Sequence, residues 1–293
     1  MRLNFFKQRK ASTNYSIDMM PRTRKQVFKD ICHLHLSKVF YIGLILLAFS
    51  LPIHIVDLTE NILVVSLTEN LSGVSSETEI NEIAYNVLAL QNIVELIKIP
   101  LWLIFSIGLA GILRVVRQYC WIENVSIKHD FRIGVKQNAK QCVLITLIFA
   151  FINYIANYLV NNSYIVADHD YSVILFLPIA AEVLIVLPIF FIIFVCISVY
   201  KNTFVQNLKV AITLLLNKYV IILLISSIGV LPLMVITELG FYPSLIIRLI
   251  YTLGGGFLLI GYCLFMYNVL DTYINIKYFP ELVGKGTIWN EEI

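Results

Sequence analysis

Residues Val173–Val199 read VILFLPIAAEVLIVLPIFFIIFVCISV. The stretch holds one acidic residue, Glu182, between Pro178 and Pro188, and no basic one. About 20 consecutive apolar residues are enough for a helix to cross a bilayer, where every backbone polar group must be bonded inside the segment. This run meets that length and is apolar on all faces, which excludes a surface helix of a soluble domain. Working outward, five more runs of the same kind occur: Val39–Val56, Ile99–Val116, Val143–Val160, Val220–Ile236 and Leu245–Val269. The fourth and sixth in chain order are longer than a crossing needs, so tilt or kinking is expected there.

The whole chain agrees with this pattern. Of 293 residues, 59% are hydrophobic, against roughly 45–50% in ordinary soluble domains. Charged residues make up 14%, where about 25% is usual, and mean hydropathy is +0.81. A disordered chain, a nucleic-acid-binding arm and a soluble enzyme are excluded, and the lipid bilayer is the first partner. The predicted fold class is all-α: a six-transmembrane-helix polytopic bundle with cytoplasmic interfacial amphipathic helices. Residues 1–38 form a basic N-terminal segment without the apolar core or cleavage site of a signal peptide. Residues 39–270 form the membrane domain, with a long outer loop at 57–91, and 271–293 form a tail.

Charge orients the bundle. Lys and Arg collect in the N-terminal segment (Arg2 to Lys38), in Arg114–Lys140, at Lys201, Lys209 and Lys218, and at Lys277 and Lys285. Of the 22 basic residues, only Lys98 and Arg248 fall elsewhere, and both sit at span ends. The alternate connections are acidic: Asp57, Glu60, Glu69, Glu77, Glu79 and Glu82, then Asp168 and Asp170, then Glu238. Because Lys and Arg accumulate on the cytoplasmic side, the expectation is a multi-pass cell-membrane protein with both termini in the cytoplasm.

Shorter signals fill in the organisation. Ile80, Ile83, Ala84, Val87 and Leu88 have helical spacing and predict a short amphipathic helix on the outer surface, either a packing cap or a lid. Gln137-Asn138-Ala139-Lys140 and Gln206-Asn207-Leu208-Lys209 share a QNxK pattern just before apolar crossings. The stripes Phe131, Val135, Ala139, Cys142 and Phe204, Leu208, Ile212, Leu215 mark basic amphipathic helices in the cytoplasmic interface. Lys25–Lys38 is a third candidate, which suggests three units, each an inner helix followed by a helical hairpin. Cys32, Cys120, Cys142, Cys196 and Cys263 form no CxxC pair, so neither a disulfide framework nor a zinc site is expected. Trp102, Trp121 and Trp289 read as interface anchors, and Asn70-Leu71-Ser72 matches a glycosylation sequon.

Three stretches carry a family likeness: Met20-Pro21-Arg22-Thr23-Arg24-Lys25-Gln26-Val27-Phe28, Asp130-Phe131-Arg132-Ile133-Gly134-Val135-Lys136-Gln137-Asn138-Ala139-Lys140-Gln141, and Asn275-Ile276-Lys277-Tyr278-Phe279-Pro280-Glu281-Leu282-Val283-Gly284-Lys285-Gly286. Together they resemble the YesL-like family of Gram-positive bacterial membrane proteins. Its members are often linked by gene neighbourhood to carbohydrate uptake systems. The resemblance implies a non-enzymatic accessory or regulatory component of carbohydrate transport, with a transport-system membrane protein as partner. The long acidic outer loop has no match in the family pattern.

Glu182 is the strongest single candidate. An acidic side chain within a span costs roughly 3 kcal/mol on insertion scales and normally faces a partner or a water-filled space. Lys98, Arg248 and His54 lie at its depth and are its candidate partners. Two readings stand: a binding or proton-coupling carboxylate of a small-solute transporter, or a structural ion pair or neutralised acid. Pro178 and Pro188 each remove a backbone donor and predict a kink, a feature that also lines transporter sites. Gly254, Gly255 and Gly256 permit either close helix packing or local unwinding. His33 and His35 alternate and point apart, so no metal site is expected. No Walker loop, HExxH or GxSxG occurs, no cofactor is implied, and the segment Lys201–Lys218 lacks the docking loop of an importer permease.

Overall fold

The computed structural model describes residues 23–69, 76–166, 177–236 and 241–287. The basic residues before Thr23, the sequon at Asn70, and Asp168, Asp170, Glu238 and Trp289 lie outside them. The described elements are helical, with no strand among them. They are α1 (Arg24–Leu34), α2 (Leu36–Glu69), α3 (Glu77–Cys120), α4 (Ile127–Val166), α5 (Leu177–Ala181), a π-helical turn (Glu182–Val186), α6 (Leu187–Val199), α7 (Phe204–Ile236), α8 (Phe241–Leu270), a second π turn (Asp271–Asn275), α9 (Ile276–Tyr278) and a 3₁₀ turn (Pro280–Leu282). Six helices are long and apolar enough to cross a membrane, α5, the π turn and α6 acting as one. The protein is an all-α, six-span membrane bundle.

The helices that begin at one end of the bundle are capped by side chains. Thr23 Oγ1 accepts from the Gln26 amide at 3.3 Å, and Gln26 Oε1 accepts from the Thr23 amide at 3.0 Å. Thr203 and Gln206 repeat this capping box at the start of α7, at 3.4 and 2.8 Å. At α4, Asp130 Oδ2 accepts from the Ser126 amide at 2.9 Å. Each pairing satisfies donors that a helix start leaves without intrahelical partners. The two QNxK motifs diverge in use. Gln206 is a cap, whereas Gln137 accepts from Arg114 at 2.7 Å.

The amphipathic segments are joined to their crossings in three ways. α1 breaks from α2 at His35 (φ −127, ψ 24). α7 has one non-helical residue, Lys218 (φ −137, ψ 33), between its amphipathic start and its crossing. α4 runs through from Ile127 to Val166, so the interfacial helix predicted there is the first part of a spanning helix.

The expected outer loop at 57–91 is mostly helix. α2 continues to Glu69 and α3 starts at Glu77, so the predicted amphipathic helix around Ile80–Leu88 is the first part of α3. At about 1.5 Å per residue the 34-residue α2 is about 51 Å long, well beyond a hydrocarbon core of about 30 Å. The polar residues that suggested a chain break at Asp57 are turned inward and paired, so the helix has no reason to end there.

Packing differs between the two halves. Near the face where α1 and the chain's last described residues meet, the terminal face, Ile112, Leu113, Ile192, Leu214, Ile260 and Leu270 are fully buried in one apolar core. Arg24 ties this face together. It pairs with Asp271 at 2.9 Å and donates to the Lys285 carbonyl, while Asp271 accepts from Asn275 at 2.7 Å and from the Gly284 amide at 3.2 Å. Lys285 Nζ also lies 4.4 Å from the centre of the Trp121 ring. Buried polar groups occur in both halves: Ser198, Asn207, Asp271 and Asn275 toward the terminal face, and His54, Glu182, Ser244 and Arg248 in the opposite, distal half.

α2 and α8 touch backbone to backbone. A Cβ on Gly43 would run into the Leu253 carbonyl, and one on Gly256 would sit 2.6 Å from the Val39 carbonyl. Gly255 would meet only Leu46, at 3.3 Å, and Gly254 nothing within 4 Å. α8 stays helical through Gly254, Gly255 and Gly256. Close approach therefore involves Gly256 and, from α2, Gly43.

Candidate functional site

The distal half holds a chain of charged and amide side chains. On α2, His54, Asp57 and Glu60 are three residues apart and share a helix face. Glu95 and Lys98 have the same spacing on α3. Lys98 Nζ contacts Asp57 Oδ1 at 3.0 Å, Glu60 Oε2 at 2.9 Å and Glu95 Oε1 at 2.9 Å. From α8, Arg248 pairs with Asp57 Oδ2 at 2.6 Å and donates to Ser244 Oγ at 3.3 Å. His54 Nε2 lies 3.1 Å from Thr252 Oγ1, one helical turn along α8.

The structure thus brings Lys98, Arg248 and His54 together, with Asp57 as their common neighbour. None of the three is bonded to Glu182. Glu182 is buried, at 8% exposure, on the other side of α3 and α4. The group that meets it is Asn153 of α4. With the Asn153 NH₂ turned to Glu182, it donates to Oε1 at 3.0 Å and to Oε2 at 3.3 Å. With the amide reversed, its nitrogen donates to Glu95 Oε2 at 3.4 Å and its oxygen accepts from Asn157 Nδ2 at 3.1 Å. Asn153 therefore links Glu182 to the Lys98 cluster by way of Glu95.

Local backbone sets this position. Pro188 has no N–H to donate to the Leu184 carbonyl, and its ring crowds that turn. The chain answers with a π turn, in which the Leu187 amide bonds to the Glu182 carbonyl. Such widened turns concentrate at functional sites. Glu182 is the first residue of the turn, and Pro178 lies one turn before it in α5.

Chemically, two cations (Lys98, Arg248) face four carboxylates (Asp57, Glu60, Glu95, Glu182). Lys98 and Arg248 are two cations in contact with three of these carboxylates, Asp57, Glu60 and Glu95, and Glu182 is the one of the four without a cation in contact. A single amide offers NH₂ on one side and oxygen on the other. Placed between two carboxylates, it satisfies both only when one carries a proton. Glu95 has Lys98 at 2.9 Å, and Glu182 has only the Asn153 amide. No group of three or more His, Cys, Asp or Glu suited to a metal ion occurs among the described residues, and all five cysteines are free thiols.

Asp57, Glu60, Glu95 and Asn153 were not singled out from sequence. The i, i+3 spacing of His54, Asp57 and Glu60, and of Glu95 and Lys98, was the available signal. The acidic residues after Val56 read instead as a solvated loop. Compared with protein-family models, curated proteins and solved structures, the chain matches none.

Proposed function

We propose that the protein serves membrane transport without catalysing a reaction, and that Glu182 takes up and releases a proton as part of its working cycle. The observation that carries this reading is the Asn153 amide set between Glu182 and Glu95. An ionised Glu182 calls the NH₂ of Asn153 toward itself. A protonated Glu182 can donate to the amide oxygen and leave the NH₂ for Glu95. The amide then reports the proton to the Lys98 cluster, which joins α2, α3 and, through Arg248, α8. The π turn and the two prolines give the Glu182 helix a place to bend. The terminal face, with its excess of Lys and Arg, belongs in the cytoplasm of the cell membrane.

The test is growth of a deletion strain of the source cell on a panel of carbon sources, complemented with wild type or Glu182→Gln. The expected result is a carbon-source-dependent defect that wild type corrects and Glu182→Gln does not, although the variant unfolds at the wild-type temperature in detergent. Full complementation by Glu182→Gln refutes the role of the proton.

A second reading, an accessory component of a carbohydrate uptake system, draws on the YesL-like resemblance and on one observation. The three stretches that carry the likeness converge on the terminal face: Arg24 bonds the Lys285 carbonyl, and Asp130 lies 3.6 Å from Arg114 beside the α3–α4 connection, where Lys285 approaches Glu123 at 3.8 Å. Copurification of an uptake permease in mild detergent supports this reading, and its absence at high yield of the protein counts against it.

A further inference from the structure

Asn153 is the first of a row. Asn157 and Asn161 follow it at intervals of four along α4, on one helix face, and Asn162 adjoins the last. Asn157 and Asn161 make polar contacts along the row and toward α3, and Asn162 bonds back to its own helix. Asn157 Nδ2 donates to Asn153 Oδ1 at 3.1 Å, Asn161 Nδ2 donates to Asn92 Oδ1 at 3.1 Å, and Asn162 Nδ2 donates to the Tyr158 carbonyl at 2.7 Å. The row ends at a cleft of about 270 Å³ between α3 and α4, lined by Tyr85, Asn92, Tyr158 and Asn162 among others. The cleft opens at the distal end, far from the sealed apolar core of the terminal half.

Polar side chains at this depth are costly unless they meet one another or water. Amides can bond across helices simply to hold them together, but this row has two properties that such a role does not need. It starts at an open cleft and it stops at the one carboxylate of the cluster without a cation in contact. We infer that the α3–α4 seam is a hydrated route by which protons reach Glu182 from the distal side of the membrane. The inference rests on Glu182 exchanging a proton, and not on what the protein transports. The ionisable group that acts on Glu182 from α3 is Glu95, with Lys98, Glu60 and Asp57 behind it. α4 presents the Asn153 amide, and the π turn and α6 bring no further charged side chain. Toward the terminal end the amide row gives way on α4 to a single buried hydroxyl, Thr146, beside the fully buried Ile112 and Ile192 of the neighbouring helices, too few polar partners for a continuous file of water.

The experiment uses the full chain in lipid vesicles of known protein orientation. The carboxylic-acid infrared band of Glu182, assigned by its loss in Glu182→Gln, is followed after a pH jump on one side only. The expected band change follows the distal pH. Asn157→Leu slows it by about tenfold, a factor equivalent to about 1.4 kcal/mol, while Asn157→Ser leaves it near wild type. A band that follows the terminal-side pH, that answers to neither side, or that keeps its rate in Asn157→Leu overturns the inference. So does an Asn157→Leu variant that loses stability alone. Independently of how the leucine variant folds, Asn161→Cys, made together with Cys32→Ser because Cys32 is the one native thiol that is not buried, should react with a membrane-impermeant thiol reagent faster from the distal side, and equal or terminal-side labelling refutes the route. A band that obeys the distal pH in a protein whose Glu182→Gln form complements growth leaves the route standing and removes the proposed function.

Discussion

Replacing Lys98 by Met removes the one ammonium that three carboxylates share. Lys98 Nζ sits 2.9–3.0 Å from Asp57, Glu60 and Glu95, and its side chain is 11% exposed. At such distances and an effective dielectric constant of about 20, each attraction is worth about 6 kcal/mol before desolvation is subtracted. The net value is far smaller, because four charged groups have left water and the carboxylates repel one another. Removing one partner of a buried pair nevertheless costs about 3–5 kcal/mol, since the charge left behind has no compensation. Arg248 still holds Asp57, at 2.6 Å, so the stranded groups are chiefly Glu60 and Glu95. Lys98→Met is therefore expected to fall in that range, and Lys98→Met/Glu95→Gln to recover part of the loss by deleting one of the stranded charges. Reversible unfolding in mixed micelles, read by circular dichroism, measures both. A Lys98→Met protein within about 1 kcal/mol of wild type, the value of an exposed pair, would show that the cluster is solvated and that the account of why α2 continues past Asp57 is wrong.

Two further outcomes are expected. Gly43→Ala should destabilise the bundle by about 1–3 kcal/mol, as overpacking does, because its methyl meets the Leu253 backbone; Gly254→Ala, facing open space, should be neutral or stabilising by up to about 1 kcal/mol from helix propensity, and equal effects in the same unfolding assay would contradict the α2–α8 crossing. At the α1–α2 break, burial and then the nearby Lys38 charge hold the His35 imidazole below its ordinary pKa, so the unfolded chain binds the proton more readily. Stability should rise with pH through the window just below the unfolded value of about 6.5 and level off above it. His35→Gln should flatten that part of the stability–pH profile, and an unchanged slope would place the effect elsewhere.

The number of spans and the shared side of the two described chain ends were legible in the sequence because both follow from local properties. Whether a run of residues is apolar enough for lipid depends on that run alone. The presence of a disturbed helix between Pro178 and Pro188 was legible for the same reason: the missing proline N–H acts on its own turn. The form of that disturbance, a π turn beginning at Glu182, is one of several ways a helix can answer a missing N–H, and the sequence did not choose among them.

Hydropathy misjudged the distal half. Asp57, Glu60 and Glu95 count as water-seeking in any local sum, and so the first span was expected to end at Val56. In the folded bundle Lys98 of α3 contacts all three and Arg248 of α8 adds a second contact to Asp57, which lets α2 run on to Glu69. The same two cations were the obvious partners for Glu182, and depth alone could not separate them from the nearer carboxylates. Rotation of α3 decided it, turning Lys98 toward α2 and leaving Glu182 to the amide of Asn153. Composition and local periodicity thus determined that this chain spans the bilayer six times with a carboxylate inside. Which charges meet was decided only by tertiary structure, because pairing depends on the azimuth of each helix, and azimuth is set by packing between segments far apart in the chain.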